Sequence, residues 1–211
     1  AAAVGPDNLG DQRRLLVDTL VDDIKLAHSA ADWNCEAHRR SYVRTLFALV
    51  EGLTACMKDT LLESPMLTGT KLTAAEVSLL REKSYSLKPS GAVEVRPQFI
   101  PVVRNIRFTF DMLTRIYGAE LKVDYSGREW QAFCAAVELR NRLVHPKRVE
   151  DCAVSDTDLE AVHLATALFK AASIAFFEAL IHVFQARKDE FSQGLIRRLH
   201  QDDQSGNLTD A

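Results

Sequence analysis

Apolar residues recur along this chain at spacings of three and four, and the alternation that marks a strand is almost absent. Leu16, Leu20, Ile24 and Ala27 share one face of a helix predicted over 11–31. A second helix, 36–63, carries Val43, Phe47, Val50, Leu53, Met57 and Leu61. The Ser64-Pro65 step closes it, because a residue before proline is pushed out of helical geometry. Thr73-Ala74-Ala75-Glu76 reads as a capping box opening a short helix to Tyr85, and 87–97, with Pro89, Gly91 and Pro97, reads as a loop. The next helix, 98–117, stops at Gly118, a residue suited to the left-handed position after a helix. Lys122 to Tyr125 is a connector, and Ser126-Gly127-Arg128-Glu129 is a second capping box. It opens a helix on which Trp130, Phe133, Val137, Arg140 and Val144 form one stripe before Pro146 stops it. The last long helix starts at Ser155 to Asp158 and runs into the Arg187 region. The prediction is all-α: one domain over 1–211, a four-helix-bundle core with additional short helices, and disordered tails at 1–10 and 201–211.

Composition narrows the function classes. The apolar fraction of 47% and charged fraction of 26% are those of a soluble globular protein. A net charge of -3 lacks the global basic bias of a protein that coats nucleic acid, so any RNA contact must be local. Cys35, Cys56, Cys134 and Cys152 are widely spaced, without a Cys-x-x-Cys pair, and read as reduced, packed thiols. His28, His38, His163, His182 and His200 have no metal-ligand spacing, so no metal or cofactor is expected. The opening residues lack the basic region and apolar stretch of a secretory signal. The apolar stretch 161–184 is interrupted by Lys170, Glu178 and two histidines and reads as a buried helix, not a span. A cytoplasmic protein is the expectation.

The chemistry concentrates in Glu138-Leu139-Arg140-Asn141-Arg142-Leu143-Val144-His145-Pro146. It pairs a permanent cation with the side chain that titrates near neutral pH. Arg140 interrupts an otherwise apolar stripe, either as an arginine paired with a carboxylate or as a cation held for an anion. Arg140 and His145 lie about 140° apart around a regular helix, so they converge only if Pro146 lets His145 curl off the end. Asn141, one turn before His145, is placed to orient the imidazole. A histidine at a helix C-terminus is otherwise a capping side chain. From Arg128 to Arg148 there are five basic residues against two acidic ones, with Arg142, Lys147 and Arg148 as candidate phosphate contacts. On the second helix, Arg44 belongs to a basic run with Arg39 and Arg40, and Glu51 sits among apolar residues as a partner for an arginine, Arg140 being one candidate.

The segment Arg140-Asn141-x-x-x-His145 at a helix end resembles the Arg-x4-6-His signature of the HEPN superfamily, helical-bundle proteins that include many metal-independent ribonucleases. The resemblance covers 126–146 for the motif and, more loosely, the bundle from 36 to 185. It implies that His145 acts as acid or base at a ribose 2′-OH, that Arg140 stabilises the charged phosphorane and that Asn141 supports them. The products would be a 2′,3′-cyclic phosphate and a 5′-OH. It further implies RNA as substrate and a toxin or defence role with an antitoxin or regulatory partner. One motif offers a single proton-transfer group, so a two-fold homodimer with facing motif ends is expected, with the stripe of Trp130, Phe133 and Val137 and the nearly all-apolar last helix to supply its surface. Lys147 stands where one toxin subgroup carries tyrosine. The alternative is a non-catalytic HEPN module that binds a nucleotide, nucleic acid or partner protein.

Overall fold

The computed structural model describes the backbone of residues 6–206 and the side chains of residues 11–193. The expected tails, 1–10 and 201–211, lie outside the residues whose side chains are described. The chain is all-α but for one hairpin: α1 (Pro6–Ser29), α2 (Glu36–Thr68), α3 (Ala74–Leu80), β1 (Lys83–Leu87), β2 (Val93–Pro97), α4 (Val102–Tyr117), α5 (Arg128–Val144) and α6 (Asp156–Gly206). Among the described residues a 3-10 turn, Val149–Cys152, lies between α5 and α6.

The predicted helical stripes become the core. Val43, Phe47, Val50, Met57 and Leu61 of α2 meet Ile106, Phe110 and Leu113 of α4, Phe133, Ala136 and Leu143 of α5, and Val162, Phe169 and Phe176 of α6. Each fully buried large side chain contributes about 1.5–3 kcal/mol relative to exposure. Helix α1 lies on the outside of α2, with Val17, Ile24 and Ala27 against the core while Leu16 is exposed. Gly52 makes that approach possible, since a Cβ there would run into Leu20. Helix α6 runs alongside α2 in the same direction: Val154 N–H donates to Glu36 near the start of both, and Arg187 donates to the Leu67 carbonyl at the far end. Its first half, from Leu159 to Phe176, is core, whereas Ile174, Phe177, Ile181, Phe184 and Phe191 are exposed. By length and composition alone Asp156–Gln193 could cross a membrane; the buried residues of its first half are those of a core helix.

Three expectations change. The segment 87–97 is not a loop: β1 and β2 pair antiparallel, with Tyr85 opposite Val95, and α3 ends at Leu80 instead of reaching Tyr85. Both strands are exposed along nearly their whole length, so they carry no buried-face alternation. Second, α2 passes through Pro65 to Thr68. A proline in the last turn removes one helix hydrogen bond, and Gly69 at φ 72 and Arg187 together hold the final carbonyls. Third, the capping box at 126–129 does not form. Ser126 donates through N–H and Oγ to Asp124 Oδ1, and Gly127 occupies the N-cap. A Cβ on Gly127 would lie 2.9 Å from Asp124 Oδ2, so glycine is required there by close approach. The box at Thr73 and Glu76 does form, and Gly118 ends α4 at φ 66 as expected.

Candidate functional site

The end of α5 is fixed by arginines from α2. Arg44 Nη2 donates to the Leu143 carbonyl at 2.7 Å, taking one of the orphan acceptors of the last helical turn. Arg40 donates to the Cys152 carbonyl at 3.2 Å, and Arg39 donates to the Val154 carbonyl at 2.8 Å while pairing with Asp156. The basic run of α2 is therefore a clamp on the segment between α5 and α6. Arg142 belongs to the same clamp. It pairs with Asp158 at 2.8 Å and reaches the Ala153 carbonyl, which corrects its expected role as a phosphate contact. Arg44 is likewise a structural support and not a free cation.

With Leu143 capped by Arg44, His145 has no capping duty. Its backbone N–H still bonds the Asn141 carbonyl at 3.0 Å, but φ −124 and ψ 56 take it out of the helix ahead of Pro146. The imidazole is exposed, and among the described residues no hydrogen bond or ion pair engages it. Lys147 and Arg148 follow. Their backbone N–H groups bind Asp151 Oδ2 at 2.7 and 2.9 Å, and their side chains are exposed beside His145. Those two N–H donors hold the Asp151 carboxyl below its ordinary range.

Arg140 is half-buried, its Nη2 2.5 Å from Glu51 Oε1, so the pairing that the sequence offered as one candidate is the one found. Glu51 Oε1 has no directed hydrogen-bond donor, so the contact is a charge pair. Arg140 Nη1 donates to Asn141 Oδ1 at 3.1 Å. The Asn141 amide thus orients the arginine, not the imidazole as expected, and among the described residues its Nδ2 donates to no partner.

Arg140 and Asn141 line a cleft of about 710 Å³ between α2, α5 and the start of α4, within the usual range for ligand sites. His145 is not among its lining residues; it stands one turn beyond. Phe99, Ile100, Val102, Val103 and Val137 form an apolar wall. Glu51, Glu82 and Glu138 face it with three carboxylates against the single guanidinium of Arg140. Beneath lies a group that sequence reasoning missed. The buried Lys58 ammonium is bound by Glu82 Oε1 at 2.7 Å and Asn105 Oδ1 at 2.9 Å, and Asn105 Nδ2 donates to the same Glu82 oxygen. Glu82 holds φ 51, the left-handed region, with its carbonyl closing the hairpin base through Gln98 N–H. Strain of that kind persists only where surrounding contacts enforce it. Positive φ has no sequence signature at a glutamate, and 24 and 47 residues separate Lys58 from its partners, so neither could have been read in advance.

Cys134 also lines the cleft, but burial and Glu138 push its thiol up, so it stays protonated at neutral pH and is a poor nucleophile. Among the described residues no three histidine, cysteine or carboxylate side chains are grouped to hold a metal ion. The chain matches no protein-family model, no curated protein and no solved structure.

Proposed function

We propose that this chain is a HEPN-like, metal-independent RNA endonuclease of toxin or defence type, built on a four-helix-bundle core of α2, α4, α5 and α6. The supporting observation is the state of His145. It has left the helix, it is exposed, and Arg44 has taken the carbonyl that a capping histidine would serve. A side chain with no structural duty, next to exposed Lys147 and Arg148, is suited to proton transfer at a bound phosphodiester. The imidazole takes the proton of a ribose 2′-OH, the 2′-oxygen bonds to phosphorus, and the P–O5′ bond breaks. The products are a 2′,3′-cyclic phosphate and a 5′-OH. Arg140, oriented by Glu51 and Asn141, keeps N–H donors for the phosphorane oxygens.

The leaving 5′-oxygen needs an acid, which a two-fold homodimer with facing motif ends supplies as a second His145. The stripe of Trp130, Phe133 and Val137 is buried within the chain, so it cannot form that interface as the sequence suggested. Val144 and Val149, exposed on either side of His145, are apolar residues that facing motif ends would bring together. The reading places the protein in the cytoplasm, with an antitoxin or regulatory protein as further partner.

One observation favours the second reading, a non-catalytic HEPN module that binds a nucleotide, nucleic acid or partner. Arg140 is already neutralised by Glu51, and Arg44 and Arg142 are committed to the clamp. Cleavage assays separate the two. His145→Ala should lose about 10²–10⁴ in rate without unfolding. Arg140→Lys, which keeps charge and loses the planar fork, should lose most activity. Products should carry a cyclic phosphate in the presence of EDTA. Cleavage that strictly requires added Mg²⁺, or that survives His145→Ala, overturns the nuclease.

A further inference from the structure

The body of the cleft beside the motif is unsuited to a phosphate, with Arg140 as its one guanidinium for the phosphorane. Three carboxylates face it against one guanidinium, and the nearby Lys58 is already held by Glu82. The exposed cations Lys147 and Arg148 sit instead at the end of α5, with His145. Asn141 joins the two regions: it lines the cleft, and its carbonyl accepts the His145 N–H, so they lie about 6 Å apart along the helix axis. A nucleotide whose phosphate rests at the helix end would carry its base toward the cleft.

The lining suits a base. Phe99 is 87% exposed at the rim, which is wasteful for packing but right for stacking on a ring. Ile100 and Val137 continue the apolar wall. An acceptor and a donor also line it. Glu51 offers its second carboxylate oxygen, and Asn141, whose Oδ1 accepts from Arg140, offers its Nδ2. Among the four RNA bases, guanine alone presents two adjacent donors, N1–H and the 2-amino group, next to an acceptor, O6. Adenine would set its N1 lone pair against a carboxylate. Uracil flanks its one donor with two acceptors, and cytosine offers a single donor group.

We propose that this cleft is a guanine-binding subsite, in which Phe99 stacks on the base, Glu51 accepts from its N1–H and 2-amino edge, and Asn141 donates to O6. The assignment rests on the RNA reading above for its biological use, but its test does not require catalysis. Titration calorimetry of the full chain with GMP, AMP, CMP and UMP should show GMP binding at least tenfold tighter than the others. Phe99→Ala, at a position outside the core, should weaken GMP about tenfold. Glu51→Gln should bring GMP down to the level of AMP. Four nucleotides within twofold of one another, or GMP binding unchanged in both Phe99→Ala and Glu51→Gln, overturns the subsite. Cleavage that persists in His145→Ala sinks the nuclease and leaves the guanine preference to stand or fall on the titrations.

Discussion

Removing either member of the Lys58–Glu82 pair breaks the same contact, yet the two losses should differ in size. The Lys58 side chain is 4% exposed and the Glu82 side chain 46%. Replacing Glu82 by glutamine leaves a buried ammonium with only neutral amide acceptors, Asn105 Oδ1 and the glutamine's own. Removing one partner of a buried pair costs about 3–5 kcal/mol, and the surviving Asn105 bond brings the expectation to about 2–3 kcal/mol. Replacing Lys58 by methionine leaves a carboxylate that is half in water and still bonded to Asn105 Nδ2, a loss of about 0–1 kcal/mol. Urea unfolding at pH 7 measures both, with an unchanged m-value as the check that only stability has moved. In thermal unfolding, Glu82→Gln should melt roughly 5–10 °C below the parent for a domain of this size. The double variant should resemble Lys58→Met alone, because the unpaired charge is gone. If Lys58→Met costs as much as Glu82→Gln or more, burial is not what sets the energetics here, and the reasoning fails.

Arg44→Met should cost about 1.5–3 kcal/mol, since it uncaps Leu143 with a charged donor lost, and hydrogen exchange at the end of α5 should rise before the rest of the chain responds. Burial raises the Asp158 carboxyl, but Arg142 and the Ser155 N–H and hydroxyl outweigh it and hold it below the usual carboxylate range. A depressed carboxylate stabilises the fold above its unfolded value and loses that contribution as pH falls through the folded one. The stability gap between the parent and Asp158→Asn should therefore be full at neutral pH and close as acid protonates the folded-state carboxylate; a gap that widens in acid contradicts the pairing. Light scattering can also place the dimer interface. Val149→Glu should yield monomers without catalysis, whereas Phe177→Glu with Phe184→Glu on exposed α6 should leave the dimer intact, and the reverse result removes the composite site.

The helices were legible because each buries one stripe, and periodicity records burial. The hairpin was not, because both its strands are exposed and the pattern that betrays a strand is a buried face. Gly91, at φ 79 in its turn, marked a change of direction without revealing that the flanks pair. At the site, Glu51 was readable as an arginine's partner because a carboxylate among apolar residues needs one. Asn141 has the spacing to reach His145, but Arg140 is adjacent and its guanidinium engages the amide oxygen. Arg39, Arg40 and Arg44 looked like a basic surface. A side chain's choice between phosphate and a distant carbonyl depends on contacts that no local window contains.

The clamp has a consequence for when the motif acquires its shape. The bonds from Arg44, Arg40 and Arg39 to the segment after α5 join residues 99, 112 and 115 positions apart. Contacts of such separation form late, because the intervening chain must be closed into a loop before they reward it. A growing polypeptide that has already made α2 still lacks the 143–154 carbonyls that its arginines bind. On synthesis the end that carries His145 should order only after the start of α6 has joined α2, and on denaturation it should come apart early. Any activity of His145 would then appear abruptly at the end of folding instead of growing with the chain.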